Sequence, residues 1–374
     1  METSPATLLA ADYDISPANV TLCDDTSQVR IAFISIGTCL SALGCVFNGV
    51  LLYIFLGKTE RSYPFQTFLA FLDFMLCALY IHCFGLFTLS VEYKIAFLYN
   101  FVMDSNVVTL VMSRIVQLSI PYTLIANSAE KLAMILGMNC ETQFSLRLRI
   151  GVILVLLGTA TAMRSNGFQL FYVYEDVTCE YFHRKWLSSI PHGQERWAMF
   201  ETVLTFFHTF VSFVLLCVLN IIVVAKLRVQ HRKTRRQSTS PAQLFSSTTS
   251  RIQAAAEIRE QQYRLRCAVK TTVVIISAYL ACNLINFVLY ILETSKREWI
   301  VEENQQSFKP FYVIISDLGS NLFVFSSTIR IFIYYKYNSE VKKLIKDIWL
   351  VNYVIQQAQP PKTDVLLKTD KVDV

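Results

Sequence analysis

Seven long apolar stretches divide this chain, and its basic residues gather in every second gap between them. The stretches run over about 31–56, 65–89, 106–136, 148–168, 199–226, 267–292 and 310–335. Each is near or above the roughly 20 residues a helix needs to cross hydrocarbon. In lipid every backbone polar group must be satisfied internally, so only helices and closed barrels span. These runs are too long for barrel strands and do not alternate apolar with polar. The pattern predicts an all-α fold: a seven-transmembrane helix bundle with a short C-terminal amphipathic surface helix. Hydrophobic residues make up 53% of the chain and charged residues 17%, a balance that suits a polytopic membrane protein better than a soluble globule.

Charge sets the expected orientation. Lys58 and Arg61 follow the first stretch, and Arg147 and Arg149 follow the third. A cluster from Lys226 to Arg266 follows the fifth, and Lys336, Lys342, Lys343 and Lys346 follow the last. By the positive-inside rule the C-terminus is cytoplasmic, and seven crossings place the N-terminus outside, in a plasma-membrane, multi-pass protein. Residues 1–30 read as an acidic extracellular tail without a leading signal peptide, so the first span is expected to act as its own insertion signal. Asn19-Val20-Thr21 is a glycosylation sequon on that side. The membrane domain is 31–336, with a long cytoplasmic loop at 227–266; 337–374 holds the surface helix and a disordered tail. Within the loop, 237–250 has a linker composition, and 251–266 reads as a charged helix leading into the sixth span. Val341, Leu344, Ile345 and Ile348 share one helical face, with lysines toward the other, as in a helix lying on the inner leaflet.

Most of the ten cysteines sit in or beside apolar stretches and read as small hydrophobes; Cys23, Cys83 and Cys179 fall near the outer face. No metal-ligand spacing, phosphate loop or catalytic triad is visible, so no metal, no cofactor and no enzyme activity are expected. Ionisable groups at membrane depth cost about 2.5–3.5 kcal/mol each on insertion scales. Four stand out: Asp73, Arg114, Glu201 and Arg330.

Around these residues the chain resembles the rhodopsin-like G-protein-coupled receptors. Leu69-Ala70-x-x-Asp73 matches that family's second-helix motif, and Asn48 before Gly49-Val50-Leu51 matches its first-helix asparagine. Ser326 to Tyr334 looks like the seventh-helix region, with Tyr334 in the tyrosine place, and Cys282 fits the sixth-helix cysteine. The resemblance covers about residues 35–350. The departures are as many. The third helix ends Glu130-Lys131-Leu132 instead of Asp/Glu-Arg-Tyr, and the fourth lacks its Trp. Ser212 stands near the fifth-helix Pro; the sixth reads Cys282-Asn283-Leu284-Ile285; Arg330-Ile331 replaces Asn-Pro. The third span has no outer Cys to bridge to Cys179. Asn283, Asn286 and Glu293 resemble invertebrate FMRFamide-type and nematode orphan peptide receptors.

The resemblance implies that Asp73 and Arg330 face each other in the core, where the guanidinium would replace a sodium ion and form a bidentate pair with the carboxylate. The alternative is that Arg330 snorkels to the inner surface. Arg114 and Glu201 fall where the family binds ligands. They either pair with each other, or Arg114 takes an anionic ligand group. Ser113, Gln117, His208, Asn286 and Tyr290 line the same cavity or serve as interhelical hydrogen-bonding glue. Glu130 and Lys131 hold the place of the family's G-protein contact. The expected partners are an extracellular ligand, a heterotrimeric G protein and membrane lipids, not nucleic acid. The expected function is a cell-surface receptor for a peptide or chemosensory cue rather than an amine. A non-signalling scaffold or decoy and a seven-helix transporter are the alternatives.

Overall fold

The computed structural model describes residues 28–57, 63–136, 145–189, 195–238, 249–295, 299–300 and 309–348. Among them, seven helices are long and apolar enough to cross a membrane: Gln28–Gly57, Pro64–Glu92, Ala96–Ile135, Leu146–Leu170, Thr202–Val229, Leu265–Ser295 and Pro310–Tyr337. The protein is a multi-pass membrane protein built as a seven-helix bundle. The third helix begins ten residues before its apolar pattern does. These added turns carry Tyr99, Asn100 and Asp104, which hold a surface structure at that end of the bundle. The fifth helix continues to Ser238 and the sixth starts at Thr249, so the charged stretch 251–266 is helical.

The third span is the central pillar, with 61% of its apolar window buried, whereas the fourth, at 6%, lies on the periphery. The first span packs against the second and seventh, and the third against the second, fourth and fifth. Glycines permit the closest of these approaches. A Cβ at Gly44 would meet Thr328 Oγ1 at 2.8 Å and also strike Cys77 Sγ; one at Gly37 would strike the Tyr80 hydroxyl and Asn321.

One half of the bundle, at the end where the basic gaps lie, is filled by apolar side chains. Leu51, Ile54, Leu72, Leu124, Leu216, Ile276 and Ile331 form its core. Val341 and Ile345 of the surface helix Ser339–Ile348 belong to the same cluster, so its apolar face rests on the bundle. Asn338 caps that helix, its Oδ1 accepting from the backbone N–H of Glu340 (3.1 Å) and Val341 (3.2 Å). Tyr63 donates to Glu340 at 3.0 Å. Lys342, Lys343 and Lys346 are exposed.

At the opposite end an antiparallel hairpin, β1 (Phe171–Glu175) and β2 (Lys185–Ser189), lies over the third span with Phe171 opposite Ser189. The hairpin is pinned by Tyr99, whose hydroxyl accepts from Lys185 N at 3.0 Å. Lys185 Nζ also reaches Asn100 Oδ1 at 3.3 Å and Asp104 at 3.6 Å. Arg184 and Glu175 pair at 2.9 Å, and Tyr174 packs on Trp186.

Three spans depart from regular helix. The second widens into a π-helix at Ile81–Leu86, the fifth does the same at Phe207–Val211, and the seventh breaks at Ile329. Just before that break the hydroxyls of Ser326 and Thr328 donate back to Phe323 O (2.7 Å) and Val324 O (3.0 Å), a pattern that bends helices.

Candidate functional site

Between the hairpin and the apolar half lies a cavity of about 230 Å³, bounded by the second to seventh spans. Both π-helical segments contribute to its wall, through Cys83 and Phe84 in one and His208 and Thr209 in the other. Single π-turns inside α-helices occur frequently at functional sites because they re-aim side chains at a cost in helix geometry. Pro121 acts similarly in the third span. It carries no N–H to bond the carbonyl four residues earlier, at Gln117, which also faces this space.

The cavity brings together Ser113, Arg114, Gln117, His208, Asn286 and Tyr290. Gln117 donates to Ser113 Oγ at 3.0 Å along the third span. Asn286 donates to Asn283 Oδ1 and to the Gly319 carbonyl, each at 3.4 Å, and so joins the sixth span to the seventh. Gly319 is small for this reason: a Cβ there would collide with Asn286 Oδ1. His208 Nδ1 is buried and has no hydrogen-bond partner. Arg114 is 6% exposed, and its guanidinium stands 4.5 Å from the centre of the Phe171 ring, so the hairpin braces this wall residue through a cation–π contact. The side chain of Glu201 lies outside the described residues, as does the sequon residue Asn19.

Sequence reasoning missed two charged residues in this wall. Arg164 ends the fourth helix, is as buried as Arg114 and lines the same space. It lies inside the fourth apolar stretch, so the cost argument applied to Arg114 covered it equally. Glu293, near the end of the sixth span, lines the opposite side and accepts a hydrogen bond from the Tyr312 hydroxyl of the seventh. In the sequence it stands out only as part of a resemblance. Only the folded chain shows that Tyr312 reaches it.

Below the cavity is a polar cluster. Arg330 and Asp73 form an ion pair, with side chains 2% and 1% exposed. Arg330 therefore points into the bundle and does not snorkel. The pair is not bidentate, however: Arg330 Nη1 holds Asp73 Oδ2, while Ser327 donates to Oδ1 at 2.8 Å. With the second carboxylate oxygen taken by Ser327, Arg330 Nε and Nη2 are buried without acceptors. Asn48 joins the group, donating to Gly44 O (2.9 Å) and Ser327 O (3.4 Å). Tyr334 is buried and packs edge-on against Phe55.

At the basic end of the third span, Glu130 and Lys131 sit inside the bundle, 4% and 6% exposed. Glu130 pairs with Arg149 of the fourth span at 2.8 Å and with Lys131 at 3.3 Å. Neither side chain is presented to the surface.

Cys179 is disulfide-bonded, while Cys83 and the other described cysteines are free. Among the described residues no group of His, Cys, Asp and Glu could hold a metal ion. Neither a family model nor a curated protein matches this chain.

Proposed function

We propose that this protein is a cell-surface receptor that passes the binding of an extracellular ligand to a heterotrimeric G protein. The observation that carries the reading is the division of the bundle into two halves. A polar cavity walled by six spans lies under the hairpin, and a tightly packed apolar half lies beneath it. A ligand that binds one arrangement of the cavity better than another shifts the whole bundle by that difference in affinity. The polar cluster of Asn48, Asp73, Ser327 and Arg330 lies between the two halves, beside the break in the seventh span. It is the natural place for such a shift to be transmitted.

The test is guanine-nucleotide exchange by purified heterotrimeric G proteins on membranes carrying the full chain, together with tags reporting the side of each terminus. Ligand-dependent or constitutive exchange supports the reading, with an external N-terminus. Termini in one compartment sink it. A second reading, a receptor-like protein that binds without signalling, is favoured by one observation: Glu130 is held by Arg149 and Lys131 inside the bundle, and neither Glu130 nor Lys131 is presented at its surface. Binding without exchange on any G protein decides for it.

A further inference from the structure

We propose, resting on the receptor reading, that the cavity takes a small zwitterion: a carboxylate held between Arg114 and Arg164, with an ammonium directed to Glu293 at the other wall. The charges are sorted by side. Arg114 and Arg164 come from the third and fourth spans, Glu293 from the sixth, and all three line the same space. A guanidinium offers five donors in a fixed planar fork, more than one carboxylate partner absorbs, and two guanidinium groups on one cavity wall match an anion with two oxygens. The unpartnered Nδ1 of His208 is buried on the arginine side and adds a third group able to donate. Glu293 has lone pairs beyond the one used by Tyr312, and the Tyr290 hydroxyl lines the wall beside it. Phe213 and Phe287, stacked with centroids 4.4 Å apart, supply the apolar surface between the poles.

Size narrows the class. At 230 Å³ the cavity is below the roughly 300–1,000 Å³ that encloses a drug-sized ligand. What it encloses has the dimensions of one amino acid, either free or the last residue of a peptide. For a terminal residue, the ammonium is a basic side chain. Both sources share the free carboxylate.

The experiment uses the full chain in lipid nanodiscs and reads its thermal midpoint. The probes are the twenty α-amino acids, the straight-chain ω-amino acids from glycine to 6-aminohexanoate, and Gly-Lys and Gly-Gly-Lys, each also as its C-terminal amide. At least one free acid is expected to raise the midpoint by about 2 °C or more at saturating concentration, with its amide giving no shift. Arg164→Gln removes the shift and Arg164→Lys keeps part of it. Glu293→Gln makes the free acid no better than the plain carboxylate of the same length. Should Arg164→Gln not fold, Arg114→Lys and Arg164→Lys carry the test, each weakening the free acid without giving the amide any effect. Shifts by free amino acids alone identify a free zwitterion, and shifts that persist in the dipeptide and tripeptide identify a peptide terminus. Amides that stabilise as well as acids, or no shift with any free acid, overturn the proposal. Exchange activity is read separately: a shift without exchange removes the signalling reading and leaves the ligand class, and exchange without any shift does the reverse.

Discussion

Arg330 shows how one side chain can be costly and indispensable together. It is almost wholly buried, holds Asp73 through one nitrogen and leaves two others without acceptors. A buried pair of this kind is not strongly stabilising in itself, but removing one partner leaves a bare charge at a cost of about 3–5 kcal/mol. Asp73→Asn and Arg330→Gln are each expected to cut the yield of folded protein severely and to lower the thermal midpoint. The double variant recovers part of both, because no uncompensated charge remains. Thermal unfolding and monodispersity of the three variants in detergent check this, and a double variant no better than either single one contradicts it. The sequence exposed Asp73 and Arg330 as unusual because ionisable residues are rare in apolar stretches. Their geometry was hidden: nothing in the sequence said that Ser327 would take one carboxylate oxygen and so prevent a two-pronged pair.

At the scale of elements, the glycines of two spans do opposite things. Gly44 of the first span faces Cys77 and Thr328 so closely that no Cβ fits without displacement. Gly151 and Gly158 of the fourth span have nothing within 4 Å of the place a Cβ would occupy. Gly44→Ala is therefore expected to destabilise by roughly 1–3 kcal/mol through overpacking. Gly158→Ala gains up to about 1 kcal/mol of helix propensity and meets no obstacle. Midpoints of thermal unfolding moving in opposite directions are the expected result; equal losses at both sites contradict the packing. The apolar stretches were legible because hydropathy is a local property. Helix ends were less so, since Ala96–Ser105 is helical to carry the hairpin through Tyr99, Asn100 and Asp104, and hairpin contacts have no local signature. The π-turns at Ile81–Leu86 and Phe207–Val211 left no pattern that a 3.6-residue period detects.

For the whole molecule, counting crossings alone decides a covalent question. Cys179 is disulfide-bonded, and the two cysteines outside the described residues are Cys23 and Cys140. Cys23 precedes the first span, Cys140 falls between the third and fourth, and Cys179 between the fourth and fifth. Seven complete crossings place Cys23 and Cys179 on one side and Cys140 on the other, whichever way the bundle faces. Cys23→Ser is expected to free the Cys179 thiol for a membrane-impermeant maleimide on intact cells, while Cys140→Ser leaves it blocked; the reverse outcome contradicts the seven-span count. The sequence by itself determined that there are seven membrane helices, which gaps are basic and which polar residues are out of place, because each follows from the cost of moving a short segment into hydrocarbon. Only the tertiary structure decided that Arg164 and Glu293 share a cavity with Arg114, that Ser327 divides Asp73 with Arg330, and that Glu130 turns inward to Arg149. Those facts depend on how helices far apart in sequence are rotated against one another, and rotation is set by the fit of glycines and side chains across the whole bundle.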